Sequence, residues 1–267
     1  MTNQADDGWN AGGTYEDFMG RWSRPLAEEF IKWVDPSPGG HWLDVGAGTG
    51  ALAAAICAMA RPASVVASDP SARFIESAKQ RLHDPRVTFV VAGAESFPRR
   101  HGGYDAIVSG LALNFFPDPG LAMEEQLDAV CPNGLVGAFV WDYADGMEFL
   151  RHFWDAVAAI EPEAGEMDEG RRFPICDPDS LESLLRSAGA ERVRVASLAV
   201  PTLFSSFEDY WHPFLGGAGP APSLVSTLSQ KQRRVLVDEL RRRLPMQESG
   251  RIQLQARAWA VVGRARV

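Results

Sequence analysis

Cysteine is scarce in this chain: Cys57, Cys131 and Cys176 lie far apart and form no C-x-x-C pair. Such spacing offers neither a disulfide framework nor a zinc site and suits a reducing cytoplasm. Positive charge is also in deficit. With 26 Lys and Arg against 35 Asp and Glu, the formal net charge is −9, which lacks the basic footprint of a general nucleic-acid binder. Missing too is any apolar run of about 18 residues, so no membrane-spanning helix is expected. The opening MTNQADDGWN has neither the basic nor the apolar region of a secretory signal. What the 267 residues do contain is 46% hydrophobic and 10% aromatic side chains, enough for a sizeable core. A cytoplasmic protein without nucleic-acid or membrane partners is expected, as monomer or homodimer.

The apolar pattern supplies the organisation. Leu26, Phe30, Ile31 and Val34 follow helical spacing within 24–36, and Pro25 suits a first helical turn. From residue 41, β-like runs at 41–45, 64–69, 87–92, 104–109 and 135–141 alternate with helical stretches at 51–60 and 70–82. That alternation predicts a doubly wound α/β fold, with a mostly parallel sheet and helices on both faces. Beyond Trp141 the spacing predicts helices at 147–160, 179–189 and 231–244, and strands at 192–200 and 252–265. Gly189 is a natural helix stop. The basic stretch 231–244 places Leu236, Leu240 and Leu244 on one face, as in a solvated amphipathic helix. One domain over 1–267 is expected. Its parts are an N-terminal helical segment (1–40), a core (41–141) and a substrate-side half (142–267) with a helical insertion at 201–250.

LDVGAGTGALA, residues 43–53, carries the chemistry. Gly46, Gly48 and Gly50 follow a strand and lead into a helix, where free N–H groups meet an anionic or polar ligand end. Two ligands fit such a loop: a dinucleotide and S-adenosylmethionine. Asp69, ending the second run, can take both hydroxyls of an adenosine ribose in either. Asp44 discriminates. It sits inside the first strand, where a dinucleotide fold usually has an apolar residue, and its burial calls for a partner such as the methionyl ammonium. The plainer alternative is a carboxylate bonded to loop amides.

The motifs from Trp42 to Trp141, taken in order, resemble the class I S-adenosylmethionine-dependent methyltransferases. LDVGAGTG resembles the first motif and SDPS the second. GAESFP (93–98) is similar to the adenine segment, YDAIVSGLALNFFPDP (104–119) to the fourth-strand motif, and CPNGLVGAFVW (131–141) to the post-motif turn and fifth strand. More loosely, TYEDFMGRWSRPL (14–26) is similar to the N-terminal segment of ubiquinone-biosynthesis-type, small-molecule methyltransferases. The resemblance implies a seven-stranded Rossmann-like sheet with an antiparallel last strand, S-adenosylmethionine as cofactor and S-adenosylhomocysteine as product. It carries cofactor contacts onto Asp44, Gly46, Ala47, Gly48, Gly50, Asp69, Pro70, Ala94, Glu95 and Gly110. No metal is implied. One departure stands out: Gly93 occupies the place of the family's adenine-binding Asp.

N-terminal Tyr15, Phe18, Arg21 and Trp22 could close over the cofactor, a ring facing the sulfonium and Arg21 its carboxylate. A helix packed on the sheet is the alternative. Methyl transfer is an in-line displacement that needs positioning more than a fixed triad, with a base only for a poorly ionised acceptor. Candidate acceptor-side residues are Asn114, Asp142, Tyr143, His152 and His212, beside Trp141, Tyr210 and Trp211. Each has a plainer role: Asp142 as a cap, the histidines as surface or core residues, the YWHPF cluster as packing. The expected acceptor is a small, partly apolar molecule. Competing readings are an NAD(P)-dependent oxidoreductase, which Asp44 and the last strand oppose, and a non-catalytic S-adenosylmethionine-binding scaffold. A tRNA or protein methyltransferase is opposed by the acidic balance.

Overall fold

The computed structural model describes residues 19–216 and 219–266. Seven strands form one sheet: β1 His41–Val45, β2 Ser64–Asp69, β3 Val87–Val91, β4 Tyr104–Gly110, β5 Val130–Trp141, β6 Glu191–Phe204 and β7 Ile252–Arg264. Their order is β3-β2-β1-β4-β5-β7-β6. Strands β1 to β5 run parallel, and β7 pairs antiparallel with β5 from Leu135↔Arg264 to Trp141↔Ala258. The expected doubly wound α/β architecture with an antiparallel closing strand is thus present. Apolar β-branched residues dominate the strands, and Leu43, Val65, Ile107, Val108 and Val136 are fully buried.

The α-helices among the described residues are α1 Arg21–Val34, α2 Ala51–Ala55, α3 Ala72–Arg81, α4 Pro119–Ala129, α5 Glu148–Ile160, α6 Glu169–Arg172, α7 Pro178–Ser187, α8 Phe207–Trp211, α9 Pro220–Thr227 and α10 Gln230–Arg243. Side-chain caps begin several of them. Ser71 accepts from Phe74, Asp118 from Leu121, and Asp177 from Asp179 and Ser180. Ser229 and Gln232 form a full capping box at α10. Gly189, two residues beyond α7, takes φ +99°, the left-handed stop its position suggested.

Several boundaries differ from the sequence expectation, among them β6, which runs on to Phe204, four residues beyond its expected end and into the expected helical insertion. Helix α1 begins at Arg21, so Pro25 lies inside it rather than in its opening turn. The alanine-rich 51–60 segment is α-helical only to Ala55. It then widens into a π turn, Ile56–Ala60, closed by Arg61 at φ +46°. Strand β5 starts at Val130 because Val130 pairs with Tyr104 ahead of a register shift.

The chain forms two compact units. The larger comprises, of the described residues, 23–141, 175–199 and 258–266, and includes β1 to β5 and the β7 residues paired with β5. The smaller comprises, of the described residues, 19–22, 142–174, 200–216 and 219–257. Its core is aromatic. Phe153 stacks on Phe214 at 4.5 Å, Trp22 meets Phe149 at 4.7 Å, and the buried Tyr210 hydroxyl donates to the Phe149 carbonyl at 2.8 Å. No described helix is long and apolar enough to cross a membrane.

Candidate functional site

In the larger unit the carboxyl ends of β1, β2 and β4 bring the motif residues together, as a parallel sheet requires. The loop after β1 is tied to β2 by its own backbone: Gly46 and Ala47 N–H donate to the Ser68 carbonyl at 2.8 and 2.9 Å. Asp69 completes the brace. One carboxylate oxygen accepts from Gly48 N–H at 2.9 Å, the other from Ser71 N–H at 2.8 Å. Burial raises its pKa, while these two amides pull it back. Each oxygen keeps a lone pair, so Asp69 can brace the loop and still accept from a ligand hydroxyl. Pro70 follows directly in the turn that leads to α3.

The three glycines are glycine for three different reasons. At Gly46 (φ +74°) an added Cβ would sit 2.5 Å from the Ala112 Cβ, so this position serves close packing. Gly50 (φ +88°) faces Ala78 at 3.4 Å. Gly48 (φ +53°) has nothing within 4 Å: its face is open to a ligand.

Asp44 is the most informative residue. It is completely buried, and neither carboxylate oxygen has a hydrogen-bond partner among the described residues. The Ala53 amide acts on it, lowering its pKa, without meeting hydrogen-bond geometry. Burial, with a smaller push from Asp69, raises that pKa to about 8. The bonded alternative for Asp44 is therefore absent; the loop amides bond Ser68 and Asp69 instead. An orphaned carboxylate is costly unless something cationic meets it.

The remaining predicted contacts are less distinctive. Ala94 is buried and Glu95 exposed in the turn after β3, where Gly93 N–H donates to the Ser96 hydroxyl. Gly110 ends β4 with no room for a Cβ, 2.8 Å from the Phe139 ring. Asn114 lies in the 3-10 turn Leu113–Phe115, its amide nitrogen buried and without a partner. Sequence reasoning missed the preceding Leu111 (φ +60°) and the Ala112–Phe116 turn that presses on Gly46. No residue type there signals it.

The smaller unit holds the other candidates. Arg21 forms an ion pair with Asp209 at 3.1 Å and lies 4.5 Å over the Phe204 ring, and Trp22 is buried against Phe149 and Phe204. Tyr15 and Phe18 lie outside the described residues. Asp142 is buried and accepts from Arg257 at 2.5 and 2.7 Å and from Asp145 N–H at 3.1 Å. It serves there as an ion-pair partner and turn cap. Tyr143 is buried, its ring 5.7 Å from Phe173. His152, half-buried on α5, has its pKa lowered by burial, and His212 is exposed. A residue outside the sequence candidates also emerges: Glu169 is buried, accepts from the Trp154 indole N–H at 2.6 Å and has its pKa raised to about 7 by burial. Its run, GEMDEGRR, reads as a solvated charged loop, which concealed it. Among the described residues, no group of His, Cys, Asp or Glu could hold a metal ion.

The carboxyl ends of β1 and β2 thus bring together a glycine loop open at Gly48, an orphaned acid at Asp44 and a second acid, Asp69, that braces the loop. Comparison with known proteins adds a family likeness. Residues 43–134 match the family model described as a methyltransferase domain. The chain is 29% identical over 188 residues to trans-aconitate 2-methyltransferase of Methylobacterium radiotolerans, covering 68% of this chain and 69% of that protein. It is 36% identical over 104 residues to demethylmenaquinone methyltransferase of Clavibacter sepedonicus, covering 39% of this chain and only 42% of that relative. Among solved structures, phosphoethanolamine N-methyltransferase 2 of Haemonchus contortus, with phosphomonomethylethanolamine and S-adenosylhomocysteine bound, superposes with a TM-score of 0.59. The identity is 16%, and the match covers 99% of this chain and 58% of that one. Residues 43–134 are thus similar to a methyltransferase domain, and the chain as a whole is similar to methyltransferases in fold.

Proposed function

We propose that this chain binds S-adenosylmethionine at the β1–α2 loop and transfers its methyl group to a small, partly apolar molecule in the cytoplasm. The observation that carries the cofactor assignment is Asp44, a buried carboxylate with no partner beside the open face of Gly48. Asp44 would face the ammonium, Asp69 would accept from the ribose hydroxyls, and the Gly48 face would admit the methionyl chain. Bound S-adenosylmethionine supplies the methyl group and a thioether leaving group. The chain's own residues bind, orient and exclude water.

Support for a small acceptor is twofold. The net charge of −9 disfavours nucleic acid, and the two curated relatives above are named for small acceptors, trans-aconitate and demethylmenaquinone. For the acceptor side we favour Asn114, whose amide nitrogen lacks a partner, over Asp142, whose carboxylate is committed to Arg257. Tyr143 and His152 are the next candidates. Calorimetric titration with S-adenosylmethionine, S-adenosylhomocysteine and NAD(P)H tests the assignment. Micromolar binding of the first two alone is expected, and an acceptor screen follows. Binding of NAD(P)H instead would overturn it. Cofactor binding with no acceptor turned over in a broad screen would favour a scaffold.

A further inference from the structure

Asp44 combines complete burial, two carboxylate oxygens without a donor, and a second carboxylate acting on it. The groups that face it are few. From β2 comes Asp69, of like charge, and from α2 only the Ala53 backbone amide; no cationic side chain among the described residues acts on it. Asp69 does not share this isolation, because two loop amides hold its oxygens. A buried charge without a counter-charge is disfavoured, so Asp44 in the ligand-free chain is the neutral acid.

We propose that Asp44 gives up its proton when a ligand bearing an ammonium group enters the site, so that cofactor binding by this chain is coupled to proton release. The inference rests on the reading above that the loop takes S-adenosylmethionine. In the step, the Asp44 O–H bond breaks, its electron pair stays on the carboxylate and the proton passes to bulk water. A neutral acid and a ligand cation become an ion pair plus one solvent proton; nothing is oxidised or reduced.

The sign follows from the same burial. With the Asp44 pKa pushed to about 8 in the ligand-free chain, affinity for an ammonium ligand rises about tenfold per pH unit below that value. Further up, the ligand's own α-amino group loses its charge and affinity falls again. The pH optimum for binding therefore lies between the Asp44 value and that of the ligand's amine.

The test is calorimetry on the full chain at about pH 6.5 in phosphate and in imidazole, whose ionisation enthalpies differ, so that the count of released protons is read directly. Two probes are compared: S-adenosylhomocysteine, which has the ammonium, and 5′-methylthioadenosine, which keeps the nucleoside and thioether but lacks it. About one proton released with the first and none with the second is expected. S-adenosylhomocysteine binding without proton release, or equal counts for both probes, would overturn the proposal while leaving the cofactor assignment standing. Binding of neither probe would instead remove the cofactor assignment and this inference with it. Asp44→Asn should abolish the release. Should that variant not fold, the two probes on the parent chain still decide.

Discussion

Gly46 and Gly48 are two residues apart in one loop, yet alanine at each should fail in a different way. At Gly46 the backbone φ of +74° penalises an L side chain by about 1–2 kcal/mol. The new Cβ would also fall 2.5 Å from the Ala112 Cβ, which forces the Leu111–Phe116 turn away. Overpacking of that kind adds about 1–3 kcal/mol, so Gly46→Ala should lose about 2–5 kcal/mol of stability in total. Gly48→Ala shares only the conformational cost, because nothing lies within 4 Å of its Cβ position. Its loss should be about 1–2 kcal/mol, and its defect should appear in binding, where the added methyl occupies the open face. We expect at least a tenfold weaker affinity for S-adenosylhomocysteine, or about 1.4 kcal/mol. Urea unfolding of both variants, followed by calorimetry on the folded protein, separates the effects. If Gly46→Ala unfolds no more readily than Gly48→Ala, or if Gly48→Ala binds as the parent does, the three-reason account of the loop is wrong.

Asp69→Ala removes the acceptor for the Gly48 and Ser71 amides as well as the proposed ribose contact. It should weaken cofactor binding about 10- to 100-fold by calorimetry, and unchanged affinity in a folded variant would refute that role. Arg257→Ala strands the buried Asp142 carboxylate and should cost about 3–5 kcal/mol in denaturant unfolding; a loss below about 1 kcal/mol would mean the pair acts as a surface bridge. Glu169 has a folded pKa of about 7 against an ordinary 4.5, so the folded chain holds a proton that the unfolded chain has lost. Its contribution falls as pH rises from about 4.5 to 7 and is level above. Glu169→Gln should remove that slope and stabilise the chain at pH 8 by up to about 3 kcal/mol, less whatever the weaker bond to Trp154 forfeits. Melting curves at pH 5 and pH 8 would show a difference that widens with pH; a constant difference would refute it.

The sheet was legible because its strands are short β-branched runs bounded by glycine and polar turns. HWLDV and SVVASD occupy in the structure the positions their pattern predicts. Gly189 marked a helix end for a similarly local reason, a tolerated positive φ, whereas the Ser71 cap went unread within the expected 70–82 helix. The π turn at Ile56–Ala60 was illegible, since alanine suits either helix and the widening depends on neighbours elsewhere in the fold. In the site, residue types pointed to Asp44, but only coordinates show that its oxygens have no donor. Asp142 and Arg21 illustrate the opposite limit. Their charges suggested chemistry, while their partners, Arg257 and Asp209, are 115 and 188 residues away in sequence. No local pattern reports a partner at that distance.

The position of β7 has a consequence for how this chain is made. Strand β5 shares one edge with β4, yet its other neighbour begins at Ile252, 111 residues after Trp141 (252 − 141). During synthesis, at roughly 5–20 residues per second, the nascent sheet therefore waits on the order of 5–20 s with an apolar edge unpaired. That edge offers a template for pairing with other chains until the late strand arrives. A ribosome stalled anywhere between those two strands would hold a complete glycine loop on a sheet that cannot yet close.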